Sequence, residues 1–227
     1  MTGASTTIGS DGLVALLREP HGAPEGALIL NHGRGSDEHD LFGLLDLLDP
    51  DRRLLGVTTG APLTDIPPGG RHWYLVPRVG HPDPRTFAAS YAQLCGSLDE
   101  LLADRGIGWE RTVIGGFSMG AVMSYAVALG KDRPSPAGLL AFSGFIPAVE
   151  GWAPALGDRE SVSVLIHHGR LDPVIPIEFG RGASEQLSAA GIAVEYLESD
   201  AGHSLPPAVV PPARELVFSA TKAAMPR

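Results

Sequence analysis

The chain has 227 residues, of which 44% are hydrophobic and 19% charged, and its formal net charge is −9. This length and composition are typical of a globular fold with a buried core, so the sequence predicts a single domain over 1–227. The acidic balance leaves no basic surface for phosphate groups. It therefore argues against nucleic acid binding and against a polybasic membrane anchor.

Cys95 is the only cysteine in the sequence, which excludes an intramolecular disulfide and fits a reducing compartment. The chain begins without an apolar core of signal-peptide length, and no apolar run approaches the length of a membrane span. The sequence therefore predicts a cytoplasmic protein without a stable membrane anchor. It is also compatible with a homodimer.

Short apolar runs alternate with longer amphipathic stretches, which predicts an α/β fold with a mainly parallel central sheet and helices on both faces. The first candidate strand follows a glycine-rich start, and we expect it to be an antiparallel edge strand. In chain order the candidate strands are Leu13–Leu17, Ala27–Asn31, Leu54–Thr58, Arg111–Gly115, Gly138–Phe142, Val162–His167 and Ala193–Glu198.

Helical spacing of apolar residues predicts five helices between and after these strands. They begin at Ser36, after Pro84, after Ser118, near Ile177 and after Pro207. Asp37 and Glu38 would lie in the first turn of the first helix, where the helix dipole favours acids. Gly106 is the expected end of the second helix.

Residues 61–84 follow neither pattern, because they contain six prolines and three glycines. A long irregular segment inside a compact domain is usually either a functional loop or a disordered one. Trp73 and Tyr74 in its middle favour an ordered, functional segment, which we call the proline-rich loop.

Gly116, Phe117, Ser118, Met119 and Gly120 follow an apolar strand and precede a helix-compatible run. The pattern G-x-S-x-G in this context predicts a nucleophile elbow, with the serine on a strained turn at the carboxyl end of the sheet. The two glycines would let the helix pack close to the strand. A phosphate-binding loop is the alternative, but its G-x-G-x-x-G spacing and its lysine are missing. Ser118 is therefore the predicted nucleophile.

Chain order selects the other two catalytic residues, because this fold places serine first, then an acid, then histidine. Of the eight histidines, only His203 lies beyond the last predicted strand. Asp172 follows a buried strand, at the same end of the sheet as Ser118. Its rivals are Asp158, which precedes that strand, and Asp200, which shares a loop with His203. We expect His203 to act as general base and Asp172 to orient its ring.

The tetrahedral intermediate of acyl transfer needs two hydrogen-bond donors for its oxyanion. One is expected from the backbone N–H of Met119, directly after the nucleophile. The second is expected from the glycine-containing turn after Ala27–Asn31, and Arg34 is our choice for its N–H. An ordinary strand–helix turn is the alternative.

His32 and His39 lie close in sequence to three carboxylates, which raises the question of a metal site. Asp37, Glu38 and Asp40 would lie in the first turn of a helix, and capping accounts for them. We therefore predict neither a metal nor a cofactor.

Five motifs, in this order, resemble the phospholipase/carboxylesterase family, which includes acyl-protein thioesterases. They are His32-Gly-Arg-Gly, Gly116-Phe-Ser-Met-Gly, Ser143-Gly-Phe-Ile-Pro, His168-Gly-Arg-Leu-Asp-Pro-Val-Ile-Pro and Gly202-His203. The resemblance spans about Leu28 to His203. It implies an α/β-hydrolase fold and hydrolysis of carboxylic or thioester bonds without metal or cofactor. It also implies the triad Ser118, Asp172 and His203, with oxyanion N–H groups from Arg34 and Met119.

The acyl pocket is expected to form around these motifs, and no insertion is long enough to supply a large lid domain. Its expected walls are Trp73, Tyr74, Leu75, Phe117 and Phe145. For Trp73 and Tyr74 the alternative is that they pack the proline-rich loop onto the body. The family often has an apolar residue where Arg34 stands and an acid where Leu75 stands. One hypothesis is that the Arg34 guanidinium favours substrates with an anionic group.

The leading prediction is a serine carboxylesterase that acts on small, short-chain esters through an acyl-enzyme. The second is an acyl thioesterase or lysophospholipase that uses the same site. The third is a non-catalytic, hydrolase-like binding protein, which the intact Ser, Asp and His disfavour.

Overall fold

The computed structural model describes residues 4–131 and 133–223. Their strands form a single eight-stranded sheet. In chain order the strands are β1 Thr6–Ile8, β2 Leu13–Arg18, β3 Ala27–Asn31, β4 Leu55–Gly60, β5 Thr112–Phe117, β6 Gly138–Phe142, β7 Ser163–Gly169 and β8 Val194–Ser199.

The strands lie in the order β1-β2-β4-β3-β5-β6-β7-β8, and all pairs from β4 onward are parallel. The expected mainly parallel sheet is therefore confirmed. β2 is antiparallel, as expected, but the edge position assigned to it was wrong, because β1 pairs outside it. β1 has three residues, two of them threonine, and so short a run carries no readable hydrophobic pattern.

Within the described ranges, five α-helices cover the two faces of the sheet. They are α1 Phe42–Leu48, α2 Pro84–Asp104, α3 Met119–Leu129, α4 Glu178–Ala189 and α5 Val210–Ala223. Residues of α2, α3 and α4 share one hydrophobic cluster with the sheet, and residues of α1 and α5 share a second. Each central strand is therefore buried on both faces, which explains why these strands are apolar almost throughout.

The first helix begins at Phe42 and not at Ser36, so the predicted helix start was wrong. Ser36 instead forms an antiparallel bridge with Arg71 of the proline-rich loop. Glu38 is buried, accepts a hydrogen bond from Ser5 Oγ at 2.7 Å and lies 3.3 Å from Arg71 Nε. Glu38 thus serves a tertiary ion pair, and the capping explanation fails for this residue.

The second helix follows the expected signals. Asp83 is its N-cap and accepts a hydrogen bond from the Thr86 N–H at 2.9 Å, and Pro84 opens the first turn. After Arg105 the chain turns at Gly106, whose φ is 63°. A positive φ at this position suits glycine and ends the helix.

The proline-rich loop packs against the body of the domain. Trp73 is completely buried and Tyr74 is nearly so. In the described ranges no inserted domain covers the carboxyl edge of the sheet, in line with the expected absence of a large lid. Among the same residues, no helix is both long and apolar enough to cross a membrane.

Candidate active site

Ser118 lies at the junction of β5 and α3 with φ 54° and ψ −119°. A positive φ in a non-glycine residue is strained and persists only where the surroundings impose it. Two backbone hydrogen bonds hold Ser118 in this conformation. The Ser118 N–H donates to Phe142 O at 2.8 Å, and Ser118 O accepts from the Val122 N–H at 3.2 Å. The turn lifts the Ser118 side chain to the carboxyl edge of the sheet.

Gly116 and Gly120 permit the close approach of α3 to the end of β3. A Cβ on Gly116 would lie 2.5 Å from the Asn31 carbonyl oxygen, and a Cβ on Gly120 would overlap the same atom. Asn31 Nδ2 also donates to Ser124 Oγ of α3 at 2.9 Å. The packing reason given for the two glycines is therefore visible as direct steric contact.

The loops after β5, β7 and β8 bring three side chains into one hydrogen-bonded line. His203 Nε2 lies 2.8 Å from Ser118 Oγ, and His203 Nδ1 lies 2.6 Å from Asp172 Oδ2. The His203 ring also packs on Phe117, with ring centroids 4.8 Å apart. Because a carboxylate only accepts, Nδ1 carries the proton and Nε2 is free to accept the Ser118 proton.

Asp172 has the environment of a buried, charged acid. Its side chain is inaccessible to solvent, and Oδ1 accepts hydrogen bonds from Val174 N–H at 2.8 Å and Ile175 N–H at 2.9 Å. Burial acts to raise the pKa of Asp172, but the bonds from His203, Ile175 and Val174 outweigh burial and lower it. Asp172 is thus held as a carboxylate facing His203.

The two rival acids lie elsewhere. Asp200 is exposed and accepts a hydrogen bond from Arg170 at 2.6 Å. Asp158 precedes β7, at the amino end of the sheet, where its carbonyl accepts from Ser135. Neither is hydrogen-bonded to His203 in the described part of the chain.

The turn after β3 passes directly beside the nucleophile. A Cβ on Gly33 would lie 3.5 Å from Ser118 Cβ, and Arg34 and Met119 line the same cavity as Ser118. Neither the Arg34 nor the Met119 backbone N–H donates to another group within the described residues. Two unpaired N–H groups beside a serine are what an oxyanion requires.

A cavity of about 410 Å³ opens above Ser118. Of the expected walls, Tyr74, Phe117 and Phe145 line it, whereas Trp73 and Leu75 do not. Several further lining residues were not predicted, because they lie in irregular loops whose sequence has no period that assigns a direction to each side chain. These are Ser36, Asp40, Val76, Arg78, Val79, Val174 and Ile175.

Trp73 packs the proline-rich loop onto the body, which was the alternative for this residue. Its indole Nε1 donates to His32 O at 3.0 Å, and its backbone N–H contacts Met119 Sδ at 3.2 Å. Leu75 points away from the cavity and is 43% exposed, while its N–H donates to Thr86 Oγ1. The side chains of a loop without regular structure have no fixed period, so inward and outward positions could not be assigned from sequence.

Charged groups at the cavity include Arg34, Arg78 and Asp40. The Arg34 guanidinium donates to Pro67 O at 3.3 Å. Among the described residues, neither Arg34 nor Arg78 forms an ion pair with a carboxylate, whereas Arg71 and Arg170 both do.

The nitrogens of His32 are both engaged by the protein. Nδ1 lies 2.7 Å from Gly33 O, and Nε2 accepts from the Ala61 N–H at 3.0 Å. His39 lies on the surface, with Nε2 3.4 Å from Ser5 Oγ. In the portion of the chain that the structure describes, no three His, Cys, Asp or Glu side chains cluster as a metal site would require.

Comparison with solved structures identifies the fold. A carboxylesterase from Bacillus cereus superposes with a TM-score of 0.79 at 20% identity, over 92% of this chain and 94% of that one. The esterase PE8 superposes with a TM-score of 0.76 at 26% identity, over 92% of this chain and 99% of that one. The expected α/β-hydrolase fold is confirmed.

Curated relatives are less complete matches. The putative hydrolase MhqD of Bacillus subtilis is 27% identical over 184 residues, 81% of this chain and 88% of that protein. Acyl-protein thioesterase 1 of Debaryomyces hansenii is 28% identical over 145 residues. That alignment covers 60% of this chain and 62% of the thioesterase, so it spans less than two thirds of the relative's length.

The model of the family described as Phospholipase/Carboxylesterase matches residues 14–216. This range includes β3 to β8, all of β2 after Leu13, and every residue of the hydrogen-bonded line at Ser118. The chain therefore belongs to the phospholipase/carboxylesterase family.

Proposed function

We propose that this chain is a serine carboxylesterase that hydrolyses short-chain carboxylic esters through an acyl-enzyme. The observation that carries the proposal is the continuous line from Ser118 Oγ through His203 to the buried Asp172 carboxylate, at 2.8 and 2.6 Å. Such a line supplies a nucleophile, a base and a group that orients the base.

The proposed reaction has two halves, formation of the acyl-enzyme and its hydrolysis, and the same groups act in both. Ser118 Oγ attacks the ester carbonyl carbon while His203 Nε2 takes the serine proton. The N–H groups of Arg34 and Met119 receive the oxyanion. Collapse breaks the C–O bond, and His203 protonates the departing alcohol. Water then attacks the acyl-enzyme with His203 as base, which releases the acid and restores Ser118. Asp172 stays ionised and stabilises the imidazolium.

The cavity supports small substrates. Its volume of about 410 Å³ lies at the low end of the range for ligand pockets. Val76, Val79 and Phe145 provide apolar walls for an acyl group. Arg34 and Arg78 form no ion pair with a carboxylate of the described residues, and they extend the proposal to substrates that carry an anionic group near the ester.

A thioesterase or lysophospholipase activity at the same site is the second candidate. The similarity to acyl-protein thioesterase 1 of Debaryomyces hansenii favours it. The acyl-enzyme route accepts either leaving group, because His203 protonates an alkoxide and a thiolate leaves readily without help. A non-catalytic binding role would not explain why Ser118, His203 and Asp172 are hydrogen-bonded in this order.

The test is a panel of p-nitrophenyl esters of increasing chain length, with matched oxygen and thiol esters, on the parent and two variants. Ser118→Ala should lose at least about 10⁴-fold in kcat. Ser204→Ala is the matched control, because Ser204 is exposed beside His203, and it should keep the parent rate. A fluorophosphonate should label the parent and not Ser118→Ala.

Retention of a tenth of the parent activity by Ser118→Ala would refute the nucleophile. A kcat/KM that is higher on thiol esters than on oxygen esters would favour the second candidate. The cytoplasmic location and the homodimer stay predictions, to be checked by cell fractionation and by light scattering.

A further inference from the structure

One peptide unit connects a buried histidine to the oxyanion site. His32 is 1% exposed, and its Nε2 accepts a hydrogen bond from the Ala61 N–H at 3.0 Å. An acceptor nitrogen is unprotonated, so the ring proton of neutral His32 lies on Nδ1. Nδ1 then donates to Gly33 O, which lies 2.7 Å away. Burial lowers the pKa of His32, in agreement with a neutral ring.

The carbonyl that His32 holds and the proposed oxyanion donor belong to the same peptide. Gly33 C=O and Arg34 N–H are two ends of one planar unit, and in a trans peptide they point in opposite directions. The Ser36 N–H also donates to Gly33 O, at 3.3 Å. Anchoring this oxygen on the protein side therefore sets the direction in which the Arg34 N–H points.

His32 is itself fixed by the proline-rich loop. The Trp73 ring packs on the His32 ring, with centroids 5.7 Å apart, and Trp73 Nε1 donates to His32 O at 3.0 Å. The same Trp73 contacts Met119 Sδ through its backbone N–H at 3.2 Å. Trp73 thus contacts Met119 directly and contacts His32, which in turn holds the peptide of Arg34.

We propose that His32 is a positioning residue of the oxyanion hole, which aims the Arg34 N–H by holding Gly33 C=O, with Trp73 as its support. This role rests on the proposed ester hydrolysis. Donors that are already aimed when negative charge develops lower the barrier without strengthening substrate binding. A misaimed Arg34 N–H should therefore lower kcat and leave KM almost unchanged.

Two conservative variants separate the two ring nitrogens of His32. In His32→Asn the side-chain amide reaches the position of Nδ1, so a donor to Gly33 O is kept. In His32→Gln the amide reaches the position of Nε2, so only the contact with Ala61 is kept. We expect His32→Gln to lose about 10- to 100-fold in kcat with KM within about twofold, and His32→Asn to lose less than about fivefold.

His72→Gln is the matched control. His72 is also buried and lies on the proline-rich loop, but its Nε2 lies 3.0 Å from Gly69 O, away from the oxyanion peptide. We expect its kcat within about twofold of the parent. Trp73→Phe keeps an aromatic ring and loses the bond to His32 O, and should lower kcat about three- to tenfold, which gives a second readout if His32→Gln does not fold.

Melting temperatures of all variants accompany the kinetics. The proposal is overturned if kcat simply follows thermal stability, if His32→Asn and His32→Gln lose equally, or if KM rises while kcat holds. It is also overturned if Trp73→Phe, as a folded protein, keeps the parent kcat. A parent that hydrolyses no ester and binds no fluorophosphonate would instead refute the proposed function, and the role of His32 with it.

Discussion

His167 lies within β7 and Asp172 follows this strand in the chain. The pKa of each group is lowered, which favours the charged form of Asp172 and the neutral form of His167. Burial acts to raise the pKa of Asp172, yet hydrogen bonds from one ring nitrogen and two backbone N–H groups outweigh burial and lower it. Burial, with a smaller contribution from His168, lowers the pKa of His167 to about 4. An ionised Asp172 suits its proposed role, because a carboxylate can stabilise the imidazolium of His203.

The low pKa of His167 makes stability depend on pH. Below about pH 6.5 the unfolded chain binds a proton at this ring, whereas the folded chain does not until about pH 4. The free energy of unfolding should therefore fall as the pH falls through this window, by at most about 1.4 kcal/mol per pH unit. His167→Gln keeps an amide near Ser199 Oγ and should flatten the slope, as measured by urea unfolding at several pH values. His81→Gln, at an exposed ring, should not, and equal slopes for parent and His167→Gln would contradict the assignment.

At the scale of elements, the junction of β5 and α3 holds Ser118 and Met119 at the cavity. β5 pairs with β3 in a register that puts Gly116 opposite Asn31, and α3 starts immediately after Ser118. The distance between the helix and β3 is so short that only hydrogen fits as the side chain of Gly120. The strained φ of Ser118 is therefore held by sheet register and helix packing together.

Gly120→Ala should destabilise the fold by at least about 2 kcal/mol, because its Cβ would overlap the Asn31 carbonyl and push α3 from the sheet. Gly182→Ala is the matched control. Gly182 is exposed within α4, and an added Cβ there meets nothing within 4 Å. That substitution should stabilise the protein by about 0.5–1 kcal/mol, since alanine is the better helix former. Chemical denaturation measures both, and a neutral Gly120→Ala would show that α3 can shift freely.

At the scale of the whole molecule, the surface around the cavity differs from the rest. The chain carries a net charge of −9, yet Arg34 and Arg78 face the cavity without carboxylate partners in the described structure, opposed by Asp40 alone among the lining acids. Apolar side chains share this rim. Of the seven exposed large hydrophobic residues in the described ranges, three line the cavity, namely Val76, Val79 and Val174. An amphiphilic ester with a negative group matches this combination.

Arg34→Leu combined with Arg78→Leu should lower kcat/KM for a p-nitrophenyl hemisuccinate by about three- to tenfold, because exposed ion pairs each contribute up to about 1 kcal/mol. The rate on neutral p-nitrophenyl butyrate should stay within about twofold, since the Arg34 backbone N–H is retained. The difference should shrink in high salt. Arg214→Leu on α5 changes one unit of charge away from the cavity and serves as control. Equal losses on the two esters would rule out a role for the guanidinium groups.

The amino-acid sequence alone determined the architecture and the residues proposed for the triad. Seven of the eight strands in the described ranges were predictable, the central ones because burial on both faces requires continuous apolar runs. β1 was not, because it has three residues and two of them are threonine. A five-residue pattern predicts Ser118, and chain order then selects Asp172 and His203. The three residues lie at one edge of the sheet because each follows a parallel strand. Their distances in the structure support that proposal without any change of residue.

Only the tertiary structure decided which side chains surround the substrate and what supports the oxyanion peptide. Glu38 pairs with Arg71, Trp73 lies under His32 and Leu75 faces solvent. All three features involve the proline-rich loop, where no helical or strand period links sequence position to direction. In a helix or strand, the spacing of apolar residues in the sequence shows which side chains face inward. In an irregular loop, the direction of each side chain depends on the surface against which the loop packs.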